Sequence, residues 1–516
     1  MDKILILDFG GQTCQLIARR IREFGVYTDI VPGDIELEEH LTDDVKGVIL
    51  SGSPYSVYQD GAPVPDKKIF DLDVPLLGIC YGLQRITYDL GGKVAPLATK
   101  EYGRSKISYQ NKNDLFKDIP DGFVSWMSHG DSLDVLADGF TLTALSEHNL
   151  PASVCDVNRG IYGLQFHPEV THCEFGTKIL ENFACGICGA KKEWSMETYI
   201  AKEGEKLRER VGDKEVLLLI SGGVDSTVAG GLLLKTLDPN KVHFMYIDTG
   251  LMRKGESEEV SENLKKLGAK HLHLIDARDR FLGPLSGESD PEKKRKIIGN
   301  MFIEVQEDEI RSTLSGDYFL AQGTLYTDLI ESGKGVGKNA QVIKSHHNVG
   351  CKAIEEKREA GLIIEPLEFL YKDEVRELGR ILGISNTIVD RHPFPGPGLG
   401  IRIIGEVSKE KCDILRDADY IYVNELRKRG LYDKIWQAFS VLLPVKSVGV
   451  AGDARDYSYV LALRAVVSSD GMTADVYDFP MKDLLEISAL ITNSVKDIGR
   501  VTYDISSKPP ATIEWE

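Results

Sequence analysis

Short apolar runs that end at glycines recur along this chain, and each is followed by a segment with helical spacing. The runs do not alternate between apolar and polar residues, which is typical of strands buried on both faces. Such strands, separated by helices, form parallel sheets whose ligands collect at the carboxyl ends of the strands. We therefore predict an α/β chain with two doubly wound parallel-sheet domains. The runs are residues 3–11, 47–52, 74–80 and 216–220.

Length and local composition divide the chain further. Its 516 residues exceed the size of one typical domain, about 150 residues, more than threefold. A hydrophilic stretch at residues 189–193 separates the first predicted sheet from the second. Residues 392–400 contain three prolines, which fix φ, and three glycines, which relax it, so neither a helix nor a central strand is expected there. We predict domains at residues 1–193, 194–391 and 392–516, the last one smaller and of α+β type.

The charge balance excludes several classes of protein. The chain carries 62 Lys and Arg against 80 Asp and Glu, a formal net charge of −18, which opposes binding to phosphate backbones and anionic lipid. No stretch approaches the ~18 apolar residues that a membrane span needs, and Asp2 and Asp8 interrupt any secretory signal. Eight cysteines are too few for a disulfide framework. We expect a cytoplasmic protein that binds neither nucleic acid nor membrane.

A cysteine lies between two glycines directly after a predicted strand, in the sequence Gly78-Ile-Cys80-Tyr-Gly82. Flanking glycines allow the sharp strand-to-helix turn that exposes a nucleophile, and N–H groups at the start of a helix stabilise a thiolate. The candidate base is His167, which follows another apolar run, and Glu169 lies two residues further on. We predict a catalytic triad in which Cys80 is the nucleophile, His167 the base and Glu169 the residue that orients the imidazole.

Taken singly, these residues have ordinary structural interpretations. A cysteine in an apolar strand is usually an inert core residue, and a histidine before proline usually lies in a turn. Their combination with the two glycines favours the catalytic hypothesis. Cys185 and Cys188 have the Cys-x-x-Cys spacing of zinc and redox sites. No second pair completes a tetrahedral site and the pair does not open a thioredoxin-like unit, so their role stays open.

A loop of small residues follows the apolar run at 216–220 and precedes a predicted helix. Its glycines allow backbone N–H groups to close on phosphate oxygens, and its hydroxyls and the helix N-terminus add donors. It lacks the Gly-Lys-Ser/Thr ending of a P-loop, and its carboxylate, Asp225, indicates a Mg²⁺ ion held on a pyrophosphate. The glycine-rich residues 333–339 have a different spacing and are interpreted as a flexible loop. The candidate ATP-binding residues are Ser221, Gly222, Gly223, Val224, Asp225, Ser226 and Thr227.

Together these motifs resemble the glutamine-hydrolysing GMP synthetase family over the whole chain. The first block is similar to a class I glutamine amidotransferase, and the second resembles an N-type ATP pyrophosphatase. The third carries two segments that are specific to this family among amidotransferases. The matching segments are residues 8–10, 78–84, 127–131 and 165–169 in the first block, 221–226, 294–299, 320–324 and 344–348 in the second, and 391–400 and 507–516 in the third.

The resemblance implies a two-site reaction on glutamine, xanthosine 5'-monophosphate and ATP with Mg²⁺. Cys80 would attack the side-chain amide of glutamine, release ammonia and form a thioester. Hydrolysis of the thioester would then give glutamate. ATP would adenylate the xanthylate, and ammonia would convert the adenylate to GMP and AMP. The third domain would mediate homodimerisation and help to build the xanthylate site. The implied roles are oxyanion hole for Ser53 and Tyr81, glutamine binding for Gly52, Gln84, His129 and Asp131, and xanthylate binding for Arg295, Lys508 and Glu514.

One residue departs from the family pattern with a chemical consequence. Ser53 stands where the family usually has glycine, in the sequence Ser51-Gly-Ser-Pro54. A backbone N–H of this turn is expected to complete the oxyanion hole with that of Tyr81, so Ser53 would need a geometry that glycine reaches more easily. We therefore expect weak glutamine hydrolysis in the absence of nucleotide. Gly11 also replaces the family's usual serine, without functional meaning.

Two alternative functions stay open at this point. Other N-type pyrophosphatases make NAD, arginine precursors or thiolated tRNA, although the amidotransferase block and residues 508–516 favour GMP. The third block could be an RNA-binding module of KH type, but it carries more acidic than basic side chains and lacks a basic Gly-x-x-Gly loop. Residues 333–339 and 394–400 are candidate mobile segments.

Overall fold

The computed structural model describes residues 1–314, 316–331, 351–451, 454–468 and 473–516. The described chain divides into two compact units. The first contains residues 1–199 and 326–331, and the second contains residues 200–325 and the described residues from 351 onward. The domain boundary predicted at residue 391 falls inside the second unit and stays a prediction. The motifs at residues 333–339 and 344–348 lie outside the described residues.

The first unit is built on a nine-stranded sheet with the strand order β2-β1-β3-β4-β9-β8-β7-β5-β6. The half from β2 to β9 is parallel, and the pairs from β9 to β6 are antiparallel. The strands are β1 Lys3–Asp8, β2 Tyr27–Pro32, β3 Val45–Leu50, β4 Leu76–Ile79, β5 Lys93–Tyr109, β6 Phe123–Val135, β7 Thr141–Leu145, β8 Pro151–Asp156 and β9 Ile161–Leu164.

Helices cover this sheet because one side of each is apolar. Helix α1, for example, buries Ile17, Ala18 and Ile21, which recur at helical spacing. The helices of the first unit up to residue 195 are α1 Cys14–Glu23, α2 Tyr81–Asp89 and α3 Gly176–Glu181, with a π-helical turn at Asn182–Ile187 and 3-10 turns at Leu37–Glu39, Lys67–Asp71 and Asp114–Phe116. The next helix, α4 Met196–Val211, belongs mostly to the second unit.

The second unit contains a five-stranded sheet with the order β12-β11-β10-β13-β14, in which every pair is parallel. The buried strands β10 and β11 are apolar throughout most of their length, as the sequence predicts for a sheet covered on both faces. The strands are β10 Val216–Ile220, β11 Val242–Asp248, β12 His271–Asp276, β13 Phe319–Ala321 and β14 Ile363–Ile364.

A smaller four-stranded sheet completes the second unit. A long antiparallel hairpin of β15 and β16 forms its centre, β17 extends one end, and β18 pairs parallel to β16. Helix α13 packs against β15, and α14 packs against β18. These elements are β15 Gln437–Ala451, β16 Ala454–Val467, β17 Asp475–Val476, β18 Ile498–Tyr503, α13 Lys409–Lys428 and α14 Met481–Ser494.

The predicted fold class is confirmed, because two large sheets rich in parallel strands are followed by a smaller α+β portion. No helix among the described residues is long and apolar enough to cross a membrane. The remaining helices are α5 Val224–Thr236, α6 Glu256–Lys266, α7 Arg278–Leu285, α8 Pro291–Thr313, α9 Tyr326–Glu331, α10 Lys352–Glu359, α11 Lys372–Ile381 and α12 Asn386–Val389, with 3-10 turns at Pro239–Lys241, Gly398–Ile401 and Tyr432–Lys434.

The prediction of no helix in residues 392–400 is wrong in one detail, since a single 3-10 turn begins at Gly398. Pro397 has φ −68° and ψ −3°, so its ring favours the helical region rather than opposing it. The Leu399 N–H donates to the Leu251 carbonyl oxygen at 2.8 Å, which fixes the turn to the segment that follows β11.

Candidate functional site

Cys80 lies where β4 ends and α2 begins. Its backbone has φ 54° and ψ −107°, a conformation that non-glycine residues adopt at a cost and that recurs at functional sites. The turn is so tight that both neighbouring glycines are required. A Cβ on Gly78 would lie 2.5 Å from the Leu83 amide nitrogen, and one on Gly82 would lie 2.2 Å from the Leu50 carbonyl oxygen. The strand-to-helix elbow expected from the sequence is therefore present.

The strand beside β4 brings His167 to Cys80. Leu164 at the end of β9 pairs in parallel with Ile79, so the residues after both strands emerge at the same edge of the sheet. The Cys80 side chain is close enough to the His167 ring to act on its charge. On the other side of the ring, His167 Nδ1 lies 2.7 Å from Glu169 Oε1. The structure thus brings the three predicted triad residues together, with His167 between Cys80 and Glu169.

Burial and charge act in opposite directions on His167. Burial lowers the pKa of His167, but the adjacent Glu169 carboxylate and the Cys80 side chain outweigh burial, so the pKa of His167 lies well above its ordinary value. Glu169 is fully buried, and its carbonyl oxygen accepts a hydrogen bond from Arg20 Nε at 3.1 Å. The imidazole is therefore well placed to hold a proton taken from the Cys80 thiol.

The Cys80 thiol is nearly covered by its surroundings. Its Sγ lies 3.8 Å from the Ser128 carbonyl oxygen and accepts a contact from Gln165 Nε2 at 3.7 Å. Cys80 is only 6% exposed, so a substrate must enter through the small opening that remains. Gly52 borders the same space, since a Cβ there would lie 3.4 Å from His167 Cε1 and 3.9 Å from Cys80 Cβ.

Ser53 does not have the left-handed backbone conformation that favours glycine. Among the described residues, positive φ at non-glycine positions is confined to Cys80, Asp118 and Asn149. Ser53 therefore has a conformation that any residue adopts, and its Oγ accepts a hydrogen bond from the Tyr55 N–H at 3.3 Å. The expected weak hydrolysis without nucleotide concerns the turn with its N–H in the oxyanion hole, and it stays a prediction.

The predicted glutamine-binding residues lie together beside Cys80. Gln84 Nε2 donates to the Asp131 carbonyl oxygen at 3.0 Å and to Gln165 Oε1 at 3.2 Å. His129 Nδ1 donates to the same Asp131 carbonyl oxygen at 2.8 Å. The Asp131 carboxylate accepts a hydrogen bond from Tyr58 OH at 2.8 Å, which holds it at the edge of the site. These contacts form one network around the backbone of residue 131.

The predicted phosphate loop lies between β10 and α5. Gly222 has φ +78°, which turns the chain back so that Gly223 immediately precedes the first helical residue, Val224. The Ser221 hydroxyl accepts from the Gly223 N–H at 3.3 Å, and Thr227 Oγ1 donates to the Gly223 carbonyl oxygen at 2.8 Å. The loop leads into the N-terminus of a 13-residue helix. The free N–H groups and the positive end of the helix dipole at that terminus favour phosphate binding.

The carboxylate of this loop has a cationic partner from another helix. Lys372 Nζ at the start of α11 donates to Asp225 Oδ1 at 2.5 Å and to Oδ2 at 2.6 Å. The described residues contain no group of three or more His, Cys, Asp or Glu side chains placed to hold a metal ion.

A buried arginine connects the loop to the proline-rich segment. Arg391 Nη1 donates to the Gly222 carbonyl oxygen at 3.1 Å and to Glu256 Oε1 at 2.9 Å. Next to the loop, a cavity of about 380 Å³ opens beside β11, the neighbour of β10 in the sheet. Asp248, at the end of β11, accepts from Arg278 Nη2 at 2.7 Å on its wall. The loop and the cavity occupy adjacent strand ends, where parallel sheets bind ligands.

Comparison with known proteins covers the entire chain. The family model "Glutamine amidotransferase class-I" matches residues 5–187, and "GMP synthase C terminal domain" matches residues 424–515. The GMP synthase (glutamine-hydrolyzing) of Aquifex aeolicus is 52% identical over 99% of this chain and 99% of its own. Those of Bacillus licheniformis and Bacillus subtilis are 52% and 51% identical over 100% of this chain and 99% of their own. The chain belongs to the glutamine-hydrolysing GMP synthase family.

The residues suggested by the GMP synthase resemblance for xanthylate binding lie on two segments of the second unit. Arg295 lies on α8 with its side chain 45% exposed, 3.6 Å from Glu292 Oε1. The backbone of Lys508 forms a bridge with Ala474. The Glu514 carboxylate is engaged, since it accepts from Arg402 Nη2 at 2.8 Å and from Gln437 Nε2 at 2.7 Å.

Several residues of the two sites were missed in the sequence. Lys372 and Arg402 stand in no motif, and only the structure shows that they pair with predicted site residues. Glu101 was missed because it meets His129 across the register of β5 and β6, where Nε2 and Oε2 lie 3.0 Å apart. Gln165 had a signal, since it belongs to the same segment as His167, two residues away.

Proposed function

We propose that this chain is a glutamine-dependent GMP synthetase, a ligase that forms a C–N bond with glutamine as nitrogen donor. It hydrolyses glutamine to glutamate and ammonia, adenylates xanthosine 5'-monophosphate with Mg-ATP, and aminates the adenyl intermediate to give GMP, AMP and pyrophosphate. The observation that carries the proposal is the Cys80–His167–Glu169 series in a chain whose full length matches glutamine-hydrolysing GMP synthases.

The first site performs the glutamine hydrolysis. The Cys80 thiol transfers its proton to His167 as the sulfur attacks the side-chain amide carbon of glutamine, and the protonated imidazole then gives that proton to the departing ammonia. A water molecule, deprotonated by His167, hydrolyses the thioester to glutamate. Glu169, at 2.7 Å from Nδ1, orients the ring and stabilises its charge. Backbone N–H groups of Ser53 and Tyr81 stabilise the oxyanion.

The second site adenylates the xanthylate. The loop from Ser221 to Thr227 binds the pyrophosphate part of ATP, so that the xanthylate oxygen attacks the α-phosphate and pyrophosphate leaves. Lys372 supplies positive charge at this loop. Asp225 would hold Mg²⁺, whose contribution is to neutralise phosphate charge. The 380 Å³ cavity beside β11 is of a size that accommodates a nucleoside.

A homodimer and a cytoplasmic location belong to the same proposal. The hairpin of β15 and β16 exposes apolar side chains, with Val448 50%, Val450 83% and Tyr457 59% exposed, and Leu485 on α14 is 64% exposed. Exposed apolar groups of this kind mark protein interfaces, which supports self-association through the last sheet. All eight cysteines are free thiols, which supports a reducing compartment.

The test is GMP formation from xanthylate and Mg-ATP with either glutamine or an ammonium salt. Cys80→Ala is expected to lose glutamine-driven synthesis and to keep ammonia-driven synthesis, because Cys80 acts only in the first site. Cys185→Ala is the matched control and should keep both activities, since Cys185 is partly exposed and free. Asp225→Asn should reduce synthesis from both nitrogen sources.

The same assay separates the proposal from its alternatives. A wild-type protein that releases glutamate from glutamine but makes no GMP from either nitrogen source would contradict the xanthylate assignment. The acceptor would then be another carbonyl compound that can be adenylated, as in the other N-type pyrophosphatases.

A further inference from the structure

Three cationic side chains of the second unit are fully buried and face one segment of the chain. Lys294, Arg402 and Arg464 each have no exposed surface. A buried cation is costly unless carboxylates or carbonyl oxygens compensate its charge. All three are compensated by residues 504–516, here called the C-terminal segment, which carries two of the three predicted xanthylate-binding residues.

Lys294 makes the most connections. Its Nζ donates to the carbonyl oxygens of Ile403 at 2.8 Å, Gly405 at 3.0 Å and Gly400 at 3.1 Å, and it pairs with the Glu516 carboxylate. Glu516 in turn accepts from the Gly405 N–H at 3.4 Å, and its side chain is 5% exposed. One ammonium group therefore joins helix α8, the turn at residues 400–405 and the C-terminal segment.

Two further contacts hold the same segment. Arg402 grips the Glu514 carboxylate with two hydrogen bonds, from Nε at 3.1 Å and from Nη2 at 2.8 Å. Arg464 Nη2 donates to the Thr512 carbonyl oxygen at 3.1 Å, and its Nη1 lies 3.2 Å from Asp504 Oδ2. These two contacts set the path of the segment, whereas the contact from Lys294 sets its distance from α8.

The position of Lys294 in the sequence gives this contact a functional meaning. It precedes Arg295, and successive helical residues point about 100° apart, so the fully buried Lys294 fixes the direction of the half-exposed Arg295. A buried ion pair adds little net stability compared with an apolar pair of similar volume. The effect of the Lys294–Glu516 pair itself is therefore expected on the geometry of the site.

We infer that Lys294 is a positioning residue for the xanthylate site. Through Glu516 it holds the C-terminal segment, with Lys508 and Glu514, at a set distance from Arg295. Arg295, Lys508 and Glu514 can then bind the same nucleotide. The inference rests on the proposed function, because the xanthylate-binding roles of these three residues belong to it.

The test replaces the ion pair by apolar side chains of similar length, in the double variant Lys294→Met/Glu516→Met. Ammonia-driven GMP synthesis is measured for KM of xanthylate, KM of ATP and kcat, together with glutamine hydrolysis and Tm. We expect KM for xanthylate to rise about 10- to 100-fold, with KM for ATP and glutamine hydrolysis close to wild type. Tm is expected to fall, because the carbonyl oxygens of residues 400, 403 and 405 lose their donor. Lys293→Met, at an exposed neighbouring lysine, is the control and should leave every value unchanged.

Amide hydrogen exchange of residues 504–516 in the substrate-free protein gives an independent measure. Exchange should be faster in the double variant than in the wild type, and unchanged in the control. An unaltered KM for xanthylate, an equal rise in KM for ATP, or unaltered exchange would overturn the inference. Failure of the wild type to make GMP would instead overturn the proposed function, while the exchange comparison still decides whether Lys294 holds the segment. Glu516→Gln, which leaves Lys294 its three carbonyl partners, tests the same contact if the double variant does not fold.

Discussion

Replacing Glu101 by glutamine removes a buried negative charge that three polar side chains stabilise. Glu101 Oε1 accepts from Ser146 Oγ at 2.8 Å and lies 2.8 Å from His148 Nδ1, and Oε2 lies 3.0 Å from His129 Nε2. Burial raises the pKa of Glu101, but the polar side chains of His129, Ser146 and His148 outweigh burial and lower it from 4.5 to about 2. The variant Glu101→Gln tests this balance.

The direction and size of the effect follow from proton linkage. A carboxyl group whose pKa is depressed in the folded state contributes stability above its unfolded pKa and loses it as the pH falls through the folded pKa. For Glu101 that interval runs from 4.5 down to about 2. A difference of one pKa unit corresponds to about 1.36 kcal/mol, so the Glu101 charge contributes about 3 kcal/mol to the free energy of unfolding at pH 7. The neutral glutamine lacks this contribution.

Amide hydrogen exchange of β5 and β6 is the appropriate assay, because it reports the stability of the strands that carry Glu101 and His129. At pH 7, protection in Glu101→Gln should fall about 100-fold, and the difference from wild type should shrink as the pH approaches 2. Glu147→Gln removes an exposed charge nearby and should change stability by less than about 0.5 kcal/mol. Equal protection in the two variants at pH 7 would refute the reasoning.

Three further outcomes are expected. Gly82→Ala should abolish glutamine hydrolysis and spare ammonia-driven synthesis, because its Cβ would lie 2.2 Å from the Leu50 carbonyl oxygen. A Cβ on Gly186 would meet nothing within 4 Å, so Gly186→Ala should keep both activities. Glutamine hydrolysis by Gly82→Ala would contradict this. Ser53→Gly should speed glutamine hydrolysis without nucleotide, and fast nucleotide-free hydrolysis by the wild type would argue against the premise. Burial lowers the pKa of His392 to about 4, so urea unfolding should show stability declining as the pH falls below about 6.5, and a decline equally steep in His392→Gln would exclude His392 as its source.

The strands, the elbow and the components of the triad could be predicted because their signals are local. An apolar run that ends at glycine encodes both a buried strand and the turn after it, and Gly78 and Gly82 lie within two residues of Cys80. Glu169 lies within two residues of His167, so their contact needs only the turn after β9.

Contacts between distant segments were beyond the sequence. Glu101 faces His129 only because β5 and β6 pair in one register, and a shift of one residue would turn its side chain to the other face. Lys372 reaches Asp225 because α11 packs against α5. The spacing of residues in the sequence does not predict that packing.

The sequence by itself determined the order of strands and helices, the tight turns and the types of reactive side chain, because hydrophobic periodicity and the conformational demands of glycine and proline act over a few residues. Only the tertiary structure decided the partner of each buried charge. Lys294 is joined to Glu516, and Arg402 to Glu514, by the packing of helices and strands far apart in the chain. A buried charge is tolerated where a group of opposite charge lies close to it, and the whole fold decides which group that is.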